Sequence, residues 1–314
     1  MTNTTLHIDA PSSPHPHLIS DLIHGRVTPG PIWHKRDYRI KFLLRSLLFW
    51  SSTVKMLDSL SSRPGFDRLL SAQITLPSKS HRQYLTRGLR AGQRADAIIS
   101  HYDYIDSLCS APLADALTAA TPVLLLEFTG KDDAPFSLYA SCASKAEREG
   151  ESTLWLYGAE QTLLASVTFS VVSENGQRAL VIGGLQGPRR SVSHDAIKLA
   201  TRACYGIFPK RMLMDVLWQL AALTDIRAVY GVSDKGHVFR ALRYRFSKGR
   251  HFHASYDEFW ASLDGTPDNA WRWKLPLQLE RKSLDSIASK KRAEYRRRFA
   301  LMDDVQGRLR ALFD

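Results

Sequence analysis

Between His34 and Leu60 apolar side chains recur at helical spacing, with Phe42, Leu43, Leu47, Leu48 and Trp50 set among Lys35, Arg36, Arg39, Lys41 and Arg45, which predicts an amphipathic helix. Two uses of it stay open: a core-packing helix with a basic outer face, or an interfacial helix lying on anionic lipid. Leu69 to Ser107 reads as a loop and at least one further helix. The period then changes. "TPVLLLEFTGKDDAPFSLYASCA" holds an apolar run bounded by Pro122 and Gly130, then a turn and an alternating run, which predicts a strand pair. Leu164 to Val172 and Ala179 to Leu185 flank "SENGQ", whose Asn175-Gly176 pair suits a two-residue turn, so an antiparallel hairpin is expected.

After the hairpin the helical period returns. Ser193 is placed as N-cap of a helix carrying Asp195 in its first turn and ending near Gly206. Pro209 opens a second helix whose stripe of Leu213, Val216, Leu217, Leu220 and Leu223 belongs in the core. "DIRAVYGVSD" reads as a strand, Ser255 as the cap of a helix in "SYDEFW", and the stretch after Pro276 as a long closing helix. Residues 1–30, rich in Ser, Pro, His and Thr, read as a poorly ordered lead-in, and the histidines there, His15, His17 and His24, have no metal-like spacing. The expected organisation is a helical part over 31–115 and a mixed, largely antiparallel α+β or α/β part over 120–314, a length that suits one large domain or two ordinary ones.

Composition narrows the function classes. The chain has 314 residues and 43 basic against 31 acidic side chains, a net +12, so an anionic partner is expected, a phosphorylated ligand or an anionic lipid surface among them, and charge alone does not select the anion. Basic residues concentrate at two places, seven against Asp37 alone from Arg26 to Lys55, and seventeen against ten acids from Arg240 to Asp314. The densest run, "SKKRAEYRRRF", falls on a helix with Ile287, Tyr295, Phe299 and Met302 as an apolar stripe, which argues for a docked closing helix over a free basic tail. Nucleic-acid binding is disfavoured further because the helix pair around "YGIFPKR" carries Leu, Met and Trp where base-reading side chains would stand. Three cysteines, Cys109, Cys142 and Cys204, lack ligand spacing, and the N-terminus lacks a secretory pattern. With no run near the roughly 20 apolar residues of a membrane span, a cytoplasmic protein is expected, with peripheral attachment to the inner membrane compatible with its charge.

Candidate chemistry gathers at "IGGLQGPRR". Gly183, Gly184 and Gly187 would admit a phosphate to backbone N–H groups at the following helix, and Arg189 and Arg190 would add charge. Glu127, His194 and His237 are the candidate proton-handling residues, with Tyr244 beside them. Walker, Rossmann and Gly-x-Ser-x-Gly strings and zinc-type spacings are absent. Each candidate also has an ordinary structural use: a β-turn with solvated arginines, a strand-end ion pair for Glu127, a surface first-turn residue for His194.

The order of antiparallel strands, Gly-rich turn, helix and strand from Leu164 to Asp234 resembles the core of the GNAT acetyltransferases, whose turn holds the pyrophosphate of coenzyme A. Pro188 and the presence of two helices between the strands depart from that pattern. Toxin-activating acyltransferases, which are similar to GNAT proteins, take acyl chains from acyl carrier protein, so the resemblance implies either a coenzyme A or an acyl-carrier thioester as donor. More specifically, "LVIGGLQGPR", "ATRACYGIFPKRMLMDVLWQLA", "GVSDKGHVFR", "YDEFW" and "SKKRAEYRRRFALMDDV" resemble the VirK/YbjX family from about Trp33 to Phe313. That resemblance implies one large domain at 31–314 in a Gram-negative bacterial protein linked to virulence, to resistance against cationic antimicrobial peptides and to envelope integrity, and it brings no catalytic residue. Acyl transfer in that service, a non-enzymatic membrane-surface or protein-binding role, and nucleic-acid binding are the functions to be weighed, in that order.

Overall fold

The structure is a computed structural model and describes residues 17–188, 192–240 and 255–314. Six helices come first: α1 (Leu18–His24), α2 (Arg36–Leu48), α3 (Trp50–Ser61), α4 (Phe66–Ala72), α5 (Ala91–Asp106) and α6 (Ala111–Thr118). The expected lead-in is docked from Leu18 onward, because Leu18 and Leu22 bury their side chains in the core and give α1 a reason to fold. Trp33 anchors the next turn: it is fully buried, donates Nε1–H to the carbonyl of Ile74, and meets Tyr38 and Phe42 edge to face.

Among the described residues eight strands form one sheet: β1 (Val123–Thr129), β2 (Pro135–Cys142), β3 (Ser152–Tyr157), β4 (Leu163–Glu174), β5 (Gln177–Gln186), β6 (Ile226–Val232), β7 (Thr266–Asn269) and β8 (Arg272–Leu275). They lie in the order β1-β2-β3-β4-β5-β6-β8-β7, antiparallel throughout except for β5 beside β6. The hairpin forms where expected, with Glu174 opposite Gln177 and both turn residues, Asn175 and Gly176, at positive φ. β4 is buried on both faces and packs against α5 and against α8 (Pro209–Leu223).

Between β5 and β6 run α7 (His194–Ala203), capped by Ser193 accepting from Ala196 N, and α8, which starts at Pro209 and buries Leu213, Val216, Leu217 and Leu220. The remaining α-helices among the described residues are α9 (Tyr256–Ala261) and α10 (Ser289–Arg310). Ser255 precedes α9 but makes no side-chain cap; Tyr256 N donates to Asp234 Oδ1 at 2.8 Å, and Asp234 N donates to Asp257 Oδ1 at 3.0 Å. The closing helix begins at Ser289 and not directly after Pro276, and it docks mainly through Leu301, Val305 and Leu309 in its second half. Arg298 is partly a structural residue, donating to the carbonyl of Tyr205 at 2.8 Å and lying over the Tyr295 ring.

Candidate functional site

The one parallel pair in the sheet comes apart before its strands end. β5 and β6 match from Arg178 opposite Ile226 to Ile182 opposite Gly231; beyond that β5 stays with β4, while Val232 pairs with Arg272 of β8. α9 stands in the fork. Trp260, fully buried, donates Nε1–H to the carbonyl of Val232 at 2.8 Å, and Gly231 leaves the room for its ring, since a Cβ there would lie 2.4 Å from it. The hydroxyl of Tyr256 accepts the Leu185 amide at 3.1 Å, and burial pushes its phenol well above the ordinary range. These two rings stack on each other.

His237 lies against Tyr256, ring centroids 5.5 Å apart, and is fully buried. Its Nδ1 accepts the Phe239 amide at 3.3 Å, which puts the ring proton on Nε2, 3.3 Å from Glu149 Oε1. Glu149, also buried, takes a second donor from Gln186 Nε2 at 3.1 Å. The arrangement is a buried carboxyl and imidazole pair beside a backbone fork, with the imidazole held on its Nδ1 side by the Phe239 amide.

Gly183 and Gly184 lie inside β5 and not in a turn. The Glu149 carbonyl stands 2.0 Å from where a Gly183 Cβ would be, and the Glu149 carboxylate equally close to a Gly184 Cβ, so both glycines admit the loop after β2. Gly187 is the first residue past the strand and is open, with Lys210 Cε as its nearest neighbour. It lines a cavity of about 490 Å³ with Pro188, Ile197, Phe208, Lys210 and Phe259. Pro209 and Lys210, the first residues of α8, line this space, and burial lowers the Lys210 ammonium. Arg211, also in the lining, pairs with Asp215 at 3.1 Å, whose carboxyl burial raises to about 6.

Of the expected residues, His237 alone among the proton-handling candidates reaches the fork. Glu127 is exposed on the edge strand β1, with three strands between it and β5, about 19 Å at ordinary strand spacing. His194 is exposed in the first turn of α7. The three therefore share no cleft. Arg189, Arg190 and Tyr244 lie outside the described residues. Glu149, Gln186, Tyr256 and Asp234 complete the fork and were not singled out from the sequence. Among the described residues no group of His, Cys, Asp or Glu is placed to hold a metal ion, and no helix is long and apolar enough to cross a membrane.

A second buried polar cluster centres on the same loop after β2 that carries Glu149. Lys79 and Glu151 pair at 2.7 Å with almost no exposure, Tyr102 and Gln73 donate to Glu151, and the Tyr84 hydroxyl meets Ser170. Each partner comes from a different segment, so the cluster ties α5, the loop after β2 and β4 together.

With this geometry in hand, the comparisons place the chain. It matches the family described as "Protein of unknown function (DUF535)" over residues 31–311, and it belongs to that family. It is 36% identical over 296 residues to the Escherichia coli K12 protein described as "Uncharacterized protein YbjX", covering 94% of this chain and 89% of that one. A Haemophilus influenzae protein is 35% identical over 138 residues, 44% of each chain. "Membrane protein LapB" of Mannheimia haemolytica is 24% identical over 205 residues, 64% of this chain and 86% of that one.

Proposed function

We propose that the protein binds an acyl thioester, on coenzyme A or on acyl carrier protein, beside the fork of β5 and β6, and transfers the acyl group in support of the bacterial envelope, including resistance to cationic antimicrobial peptides. The observation that carries this reading is the parallel pair that parts beside a cavity with apolar walls and a cationic rim. Leu164, Ile197, Phe208 and Phe259 suit an acyl or pantetheine chain, while Lys210, Arg211 and the N-terminus of α8 suit its phosphate. Gly187 leaves the rim open, and Arg189 and Arg190 follow it in sequence. The succession of antiparallel strands, two crossover helices, one parallel strand and a returning hairpin supports a GNAT-like reading of the core, in which a single crossover helix would be expected.

In such a reaction an acceptor hydroxyl or amine attacks the thioester carbonyl and the thiol leaves. For proton handling the expected base at the fork is His237: Nε2–H stays toward Glu149, and Nδ1 takes the acceptor's proton once it exchanges the Phe239 amide for the acceptor. The Leu185 amide would be the natural donor to the thioester oxygen, and Tyr256 holds it, so α9 must give way for the donor to seat fully. The reading takes the protein to be cytoplasmic, where both donors are made. The resemblance to a membrane-protein relative supports the envelope side of it.

Mass spectrometry of compounds co-purifying with the protein, together with titration of a long-chain acyl-CoA and of acylated carrier protein, tests the reading. A saturable complex is expected, weakened about tenfold by Lys210→Glu through loss of one charge-assisted contact. Absence of any acyl compound in the purified protein, with no saturable binding of either donor, would end it.

A further inference from the structure

α2 has two apolar faces, and only one of them meets protein. At about 100° per residue, Ile40, Leu44, Leu47 and Leu48 fall within roughly 100° of arc, while the buried Phe42 and Ser46 lie about half a turn away. All four stripe residues are more than half exposed, Leu48 the most at 73%, and Trp50, just past the bend at Phe49, is 54% exposed. A solvent-facing helix with its core side already satisfied has no folding reason for four aliphatic residues on the other side. Single exposed leucines are ordinary; a continuous stripe ending in a tryptophan is the composition of an interfacial anchor.

Charge distinguishes among the surfaces able to cover this stripe. Arg36 lies on one flank and Lys41 on the other, both exposed, and Lys35 precedes the helix. The one acid nearby, Asp37, pairs with Lys41 at 3.2 Å. From Arg26 to Lys55 seven basic residues face Asp37 alone in the sequence. A second copy of the chain meeting this face across a two-fold axis would bring these cationic flanks against themselves. An anionic bilayer meets both features at once, taking the leucines below its headgroups and the flanking cations at the level of its phosphates.

We infer that α2, with Trp50, is a membrane-docking surface that seats the protein on an anionic bilayer. The inference stands apart from the acyl-donor reading, because α2 contributes no residue to the fork or to the cavity beside it.

Flotation of the full chain with vesicles containing phosphatidylglycerol, and with vesicles of phosphatidylcholine alone, tests it. Binding to the anionic vesicles is expected at low salt, with release as salt rises and little binding to the neutral ones. The double substitution Leu44→Glu and Leu47→Glu should lower partitioning more than about tenfold while leaving the thermal midpoint unchanged, since both side chains are already in water. Arg36→Glu with Lys41→Glu should remove the preference for anionic vesicles. No flotation at low salt, or equal flotation of the leucine variant and the wild type, overturns the inference. A dimer in sedimentation velocity that the leucine variant abolishes, without flotation, assigns the face to a second copy. A cross-link between residues 1–16 and α2, again without flotation, assigns it to the chain's own N-terminal segment; either result overturns the membrane assignment.

Discussion

His101 is fully buried and uses both ring nitrogens, Nδ1 accepting the Val171 amide at 3.1 Å and Nε2 donating to Ser152 Oγ at 3.0 Å. That tautomer is neutral, and burial lowers its pKa to about 3, with the Lys79 charge adding to the effect. His81 is lowered to about 4, first by burial and then by Arg45, Arg82 and Arg94. Both folded values lie below the unfolded one near 6.5, so between pH 6.5 and about 4 the unfolded chain takes up protons that the folded chain refuses. Their contribution is whole above about pH 6.5 and falls with the pH, by on the order of 3 kcal/mol for each by about pH 4. In His101→Gln the amide can repeat both hydrogen bonds without titrating. Urea unfolding of that variant should therefore lose about 2 kcal/mol less than the wild type between about pH 7 and about pH 5; an unchanged slope would mean the imidazole is not held neutral. Lys79→Met acts differently, leaving Glu151 buried without its cation, and should cost about 3–5 kcal/mol in the same measurement, with Glu151→Gln added to it restoring part of the loss.

At the scale of elements, what was legible in the sequence is what is decided locally. Asn175-Gly176 specifies its turn because two adjacent residues at positive φ need those side chains, and Ser193 caps α7 because its hydroxyl reaches an amide three residues on. The cap of α9 is not local: Asp234 supplies it from the end of β6, so Ser255 drew attention to a position whose hydroxyl makes no capping bond. Asp234→Ala should cost about 1 kcal/mol in thermal or urea unfolding and Ser255→Ala close to nothing. The fork was legible in part for the same reason. Gly183 and Gly184 signal close approach, but whether a phosphate or another strand of backbone does the approaching depends on Glu149, which lies 34 residues away from Gly183 in a loop without pattern. Gly183→Ala, meeting a carbonyl that cannot swing aside, should destabilise by about 2 kcal/mol or more, whereas Gly187→Ala meets only the Lys210 side chain and should be near neutral. If both were neutral, the packing account of Gly183 would be wrong.

For the whole molecule, the fork divides the sheet into five strands that are antiparallel neighbours in sequence order and a smaller group of β6, β8 and β7. They are joined by a short parallel ladder of five residue pairs and by α9. Long-range parallel pairing of this kind has no local signal, which is why "DIRAVYGVSD" reads as a strand without revealing its neighbour. Trp260 spans the gap where the ladder stops, fully buried and bonded to Val232, with Tyr256 reaching across to Leu185. Removing the indole leaves a void just past the end of the ladder, where β5 and β6 no longer pair. Trp260→Ala should thus cost about 3–5 kcal/mol, while Trp50→Ala on the exposed side of the helical part should stay within about 0.5 kcal/mol. The two variants remove the same side chain, so the contrast isolates position. Hydrogen exchange followed by mass spectrometry should show the first variant losing protection mainly in β6, β8 and α9, with the β4–β5 hairpin less affected, because the hairpin keeps its own ladder and its packing on α5 and α8. Uniform loss of protection across all eight strands would instead mean that the ladder and α9 do not form a separable joint, and α9 could not then yield to a donor without unfolding the sheet.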